Sequence, residues 1–167
     1  NKVLVAKAGG IEVVIAAMRA HVGNADVQHY GCGALINIAI NADNQVLVGK
    51  AGGIEAVIDA MRAHVGNADV QQRGCGALRN IAFNADNDLL VAKAGGIEAV
   101  IAAMLTHVGN ADVQHYGCIA LMNVAANNFN NKKLVAKAGG IEVAQAALAQ
   151  HSTHKGVQQK ATKLLTT

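Results

Sequence analysis

A chain of 167 residues with 52% hydrophobic residues, no proline, no tryptophan and only two Tyr and two Phe must build its core from Ala, Val, Ile, Leu and Met, the composition of a helical interior. Its 14 basic and 11 acidic residues give a formal charge of +3 and are dispersed, without the basic stripe that phosphate-backbone binding requires, so a nucleic-acid partner is not expected. No apolar run reaches the roughly 18 residues of a membrane span, and no charged-then-apolar leader opens the chain, so the expectation is a soluble, cytoplasmic protein with no membrane partner and no targeting signal.

The stretch from Asn44 to Asp86 is the repeating unit. Asn1 to Asp43 matches it at all but eight positions, Asn87 to Asn130 follows with one extra residue, and Asn131 to Thr167 is a fourth, incomplete copy. The expected organisation is one domain over residues 1–167, with repeats 1–43, 44–86, 87–130 and 131–167. Units of this size cannot bury their own apolar faces and must stack.

Taken in order through the first copy, Lys2 to Lys7 reads as a short helix broken by the Gly9-Gly10 pair, which recurs at Gly52, Gly95 and Gly139. A second helix follows. Ile11, Val14, Ile15 and Met18 fall at i, i+3, i+4 and i+7 and form one apolar face, with Glu12 at the positive helix end and His21 at the negative one. The VGNAD segment then turns the chain, with Asn24 or Asp26 as N-cap of a third helix running to about Ile40.

At 100° per residue the third helix puts Val27, Gly31, Ala34, Leu35 and Ile38 on a core side. The opposite, outward stripe carries Asp26, His29, Tyr30, Gly33, Ile36, Asn37 and Ile40.

A period in the low forties, an AGGIEAVIDAM second helix after a glycine turn and a third helix reading VQQRGCGALRNIAF resemble the armadillo repeat along the entire chain. The short first helix and its glycine turn favour armadillo over HEAT repeats. The resemblance implies an all-α fold, a right-handed α-solenoid superhelix of about four stacked three-helix repeats. It further implies a concave groove lined by third helices, in which an extended peptide is bound by an asparagine on each third helix. The matching positions are Asn37, Asn80 and Asn123, while the fourth copy places Thr167 there. Where importin-like relatives carry a tryptophan one turn earlier, this chain has Gly33, Gly76 and Ile119, which argues against a basic nuclear-localisation ligand.

Half of the substitutions between the first two copies lie on the outward stripe: His29 becomes Gln72, Tyr30 becomes Arg73, Ile36 becomes Arg79 and Ile40 becomes Phe83. The third copy changes the same face to His115, Tyr116, Ile119, Met122 and Ala126. Faster drift of surface positions would produce such variation, but large apolar and Arg side chains are enriched at interaction hot spots and costly to expose without use. The expected peptide-binding set is therefore Asn37, Asn80, Asn123, Tyr30, Ile36, Ile40, Arg73, Arg79, Phe83, Tyr116, Ile119 and Met122. Within it, Arg73 and Arg79 flank Gly76, whose missing side chain is expected to leave a gap suited to a carboxylate or phosphate.

No catalytic group, cofactor motif or metal site emerges. His21, His64, His107 and His151 share one repeat phase, so they stand a repeat apart, whereas zinc ligands converge within about 2.0–2.3 Å of one ion. Cys32, Cys75 and Cys118 share a phase too, beyond disulfide reach of one another, and read as buried thiols in a reducing compartment. The fourth copy carries cap-like polar replacements, Gln145, Lys160, Thr162 and Lys163, whereas the first keeps Val3, Leu4, Ile11, Val14 and Ile15 apolar, so weak self-association through the N-terminal repeat is expected. The function read here is a non-enzymatic protein- or peptide-binding scaffold, with an engineered or purely structural solenoid as the alternative; near-identical copies suit recent duplication or a designed, consensus sequence.

Overall fold

The computed structural model describes residues 9–126 and 128–167. The short helix expected over Lys2 to Lys7, with Val3 and Leu4, lies outside the described residues. Helices are numbered α1 to α11 in chain order. The glycine pairs open α1 (Gly10–Ala20), α4 (Gly53–Ala63), α7 (Gly96–Thr106) and α10 (Gly140–Gln150). The VGNAD-type turns open α2 (Ala25–Ile38), α5 (Ala68–Ile81), α8 (Ala111–Ala126) and α11 (Lys155–Thr166). Counterparts of the short first helix are α3 (Ala42–Lys50), α6 (Ala85–Lys93) and α9 (Phe129–Lys137). Each class packs on its own kind, giving three rows of stacked helices with the core between them, the armadillo-type α-solenoid.

Local chemistry sets the boundaries. Asn24 caps α2, its side chain accepting from the amides of Asp26 and Val27, which settles the choice between Asn24 and Asp26. Asn41 caps α3 in the same way from the amide of Asn44, so the sequence boundary between Asp43 and Asn44 falls inside a helix. At the glycine pairs the first residue is left-handed, as at Gly52 with φ 83°, a conformation that penalises any Cβ. No single described helix is long and apolar enough to cross a membrane; α6 with α7 passes by length and composition only as a pair bent by 72°.

Two polar ladders tie the rows. Gln71, 1% exposed, donates both protons of its Nε2 to carbonyls at the end of α4, Met61 O and His64 O, each at 2.8 Å. Gln28, Gln114 and Gln158 repeat the arrangement. The histidines in the phase of His21 stand at their own helix ends as C-caps and also reach across the stack: Nε2 of His64, His107 and His151 meets Val22 O, Val65 O and Val108 O of the preceding repeat, each at 2.7 Å. A carbonyl only accepts, so Nε2 carries the proton.

Burial separates inner from outer repeats. In the second copy Val70, Gly74, Ala77, Leu78 and Ile81 are all buried, but in the first only Leu35 and Ile38 are, with Val27, Gly31 and Ala34 half-buried along an open cleft. The expected core side is thus completed only where a described neighbour covers it. At the other edge Gln145, Thr162 and Lys163 are exposed as expected of a cap, yet Ile141 at 47% and Leu165 at 38% are exposed beside them, so that face is mixed rather than polar. The three cysteines are buried free thiols, and burial pushes each up to about 12.

Candidate functional site

The varied stripe of the third helices lines a wide recess, a cavity of about 610 Å³ bordered by residues of all four copies. Its walls include Ile36, Ile40, Arg79, Asn80, Phe83, Ile119 and Asn123 from the expected set. A smaller cavity of about 130 Å³ adjoins it and is lined by Ile36, Gln72, Arg73, Gly76, Arg79 and Tyr116. Tyr30 stands apart, on the cleft of the first copy, and is 73% exposed.

Met122 departs from the expected outward position: it is only 8% exposed. α11 packs on α8, and a long unbranched side chain fills irregular space between helices, so this position of the stripe turns inward. Its counterparts Ile36 and Arg79 are half-buried for the same geometric reason. The gap expected at Gly76 is partly closed, since Ile36 Cδ1 lies 3.1 Å from where a Cβ would stand. The open space is beside Gly76 rather than over it.

The asparagine positions are not equivalent. Asn80 Nδ2 donates to Ile36 O at 3.0 Å and Asn123 Nδ2 to Arg79 O at 2.8 Å, so each ties its helix to the preceding repeat. Asn37 Nδ2 bonds Gly33 O of its own helix, and Thr167 Oγ1 likewise turns back to Lys163 O. Each asparagine amide has a second N–H, and Asn123 its carbonyl oxygen, to offer a ligand. At Asn80 that oxygen already accepts from Arg79 Nε at 3.1 Å.

Arg79 is the hub of the middle copy. Besides bonding Asn80, its guanidinium carbon lies 5.5 Å from the centre of the Tyr116 ring, a cation–π distance that holds the group over the small cavity. Phe83 at 73% and Ile40 at 59% exposure stand at the large cavity, apolar groups offered to whatever enters.

Gln45, His115 and Lys160 also line this recess and were not among the expected residues. Lys160 could have been found, because it occupies the repeat phase of Tyr30, Arg73 and Tyr116; its reading as a cap residue hid it. Gln45 lies on α3, and no stripe drawn on third helices could include it.

Comparison with known proteins follows this architecture. The LRRK2 ARM repeat matches residues 3–167. An engineered protein solved by the Northeast Structural Genomics Consortium is similar with a TM-score of 0.83 and 30% identity over 96% of this chain and 62% of that one. A second engineered protein from the same consortium has a TM-score of 0.82 and 29% identity over 96% of this chain and 38% of that one. The chain thus spans less than two thirds of either structure. No curated protein matches it. With a family match over nearly its whole length and three-helix units stacked in register, the chain belongs to the armadillo repeat family described as the LRRK2 ARM repeat.

Proposed function

We propose that this repeat scaffold binds an extended peptide segment along its third helices and does no chemistry of its own. The observation that carries the reading is the recess of about 610 Å³ walled by residues of four successive copies, with Ile40 and Phe83 projecting at its edge. Regularly spaced main-chain partners suit a ligand that is itself regular, while unlike neighbours such as Ile36 and Arg79 choose its side chains. Armadillo repeats generally mediate protein interactions, which supports the same reading.

The test is selection from a random nine-residue peptide library on the parent chain and on an Ile40→Ser, Phe83→Ser variant, both side chains being exposed and so dispensable for folding. Peptides retained by the parent and lost by the variant support the groove; no enrichment on either overturns it.

A second reading, a structural or engineered solenoid that self-associates, is favoured by the apolar cleft beside Val14, Ala17 and Val27 and by exposed Ile141 and Leu165 at the other edge of the stack. Light scattering across a wide concentration range tests it: a mass that stays at one chain throughout counts against self-association.

A further inference from the structure

We infer that the groove selects an anionic side chain on its extended ligand, seated in the small cavity between Arg73 and Arg79; this rests on the peptide-binding reading above. Of the side chains lining the two adjoining cavities, Arg73, Arg79 and Lys160 are cationic and none is a carboxylate. A formal charge of only +3 is spread over the whole chain, so this local surplus is a property of the groove and not of the surface at large.

The small cavity is built rather than incidental. Ile36 lines it against Gly76, and Tyr116, also in its wall, holds the Arg79 guanidinium over its ring at 5.5 Å. With Nε bonded to Asn80 Oδ1, Arg79 keeps its two terminal nitrogens for a forked contact with a carboxylate or phosphate. A space of about 130 Å³ accommodates either group with several waters.

The same contacts shape what Asn80 offers. One Nδ2 proton goes to Ile36 O and one Oδ1 lone pair to Arg79 Nε, which leaves an N–H to meet a ligand peptide carbonyl and a second lone pair to meet a peptide N–H. The anionic side chain enters beside that carbonyl, and apolar ligand groups lie towards Ile40 and Phe83 in the larger recess.

The experiment is fluorescence polarisation with nine-residue Ala- and Leu-based peptides differing only at the central position, Glu, phosphoserine, Gln or Lys, measured against the parent, Arg79→Gln and Arg73→Gln, with a labelled single-stranded oligonucleotide as comparison. We expect Glu or phosphoserine peptides to bind at least tenfold tighter than Gln, the Lys peptide to be weakest, and Arg79→Gln to abolish the difference between the Glu and Gln peptides. Tighter binding of phosphoserine than Glu identifies a dianion as the preferred group, and the reverse a carboxylate; both support the inference. Equal binding of Glu and Gln peptides overturns it while leaving peptide binding in place. Binding of none overturns both readings. Tighter binding of the oligonucleotide than of any peptide overturns the choice of a peptide ligand.

Discussion

Asn80 Nδ2 donates to Ile36 O at 3.0 Å across 44 residues of sequence, and the side chain that would grip a ligand therefore also holds two repeats together. Asn37 is exposed and, among the described residues, bonds Gly33 O of its own helix and no other repeat. Asn80→Ala is expected to lower the unfolding free energy by about 1 kcal/mol, the usual net contribution of one hydrogen bond, and Asn37→Ala by no more than about 0.5 kcal/mol. Urea denaturation followed by circular dichroism gives both values; equal losses would show that the inter-repeat bond is not what Asn80 contributes.

Two glycines within third helices should respond in opposite directions. A Cβ on Gly74 would lie 2.4 Å from Met61 Cγ, whereas nothing stands within 4 Å of one on Gly33. Gly74→Ala must displace Met61, itself 2% exposed, and is expected to cost about 1–3 kcal/mol as overpacking. Gly33→Ala removes backbone freedom from the unfolded chain and should stabilise by about 0.5–1 kcal/mol. Calorimetric Tm values that moved the same way for both would contradict this.

Asp88 is 1% exposed, and its carboxyl is raised above the usual carboxylate range by burial, a backbone hydrogen bond at Leu89 opposing the shift and Asp86 adding slightly to it. Asp88 Oδ1 accepts from Asn131 Nδ2 at 3.4 Å, while the matching Gln45 donates to Ala39 O at 2.9 Å. A folded pKa above the unfolded one means the native state binds more protons, so this group lowers stability as pH rises from about 3.9, the unfolded value, through its raised folded value. Asp88→Gln supplies a donor and removes the charge; it should stabilise by about 1 kcal/mol at pH 7, with the advantage shrinking towards pH 3.5. Urea midpoints at the two pH values check the sign, and an advantage larger in acid would refute it.

Thiol chemistry offers a check on packing. With Cys32, Cys75 and Cys118 buried and each pushed up to about 12, the thiolate fraction near pH 8 is very small and attack is blocked by neighbours. Reaction with an aromatic disulfide should be slow in the folded protein and immediate in 6 M guanidinium. Fast labelling of the native chain would mean the third-helix row opens readily.

The sequence by itself determined the helical rows, their turns and the face on which copies differ, because helix periodicity, asparagine caps and glycines at positive φ are encoded within a few residues. Phase alone also brought Ile36, Ile40, Arg79, Asn80 and Phe83 to one recess. Only the tertiary structure decided what crosses between repeats. Met122 turned inward because α11 packs on α8, and Ile36 came to rest against Gly76. Asn80 and Asn123 spent an N–H on the preceding helix, and His64 reached Val22 O. A periodic pattern gives each residue's angle about its own helix axis; whether a neighbour covers that angle depends on the separation and tilt of helices some forty residues apart, which no local preference specifies.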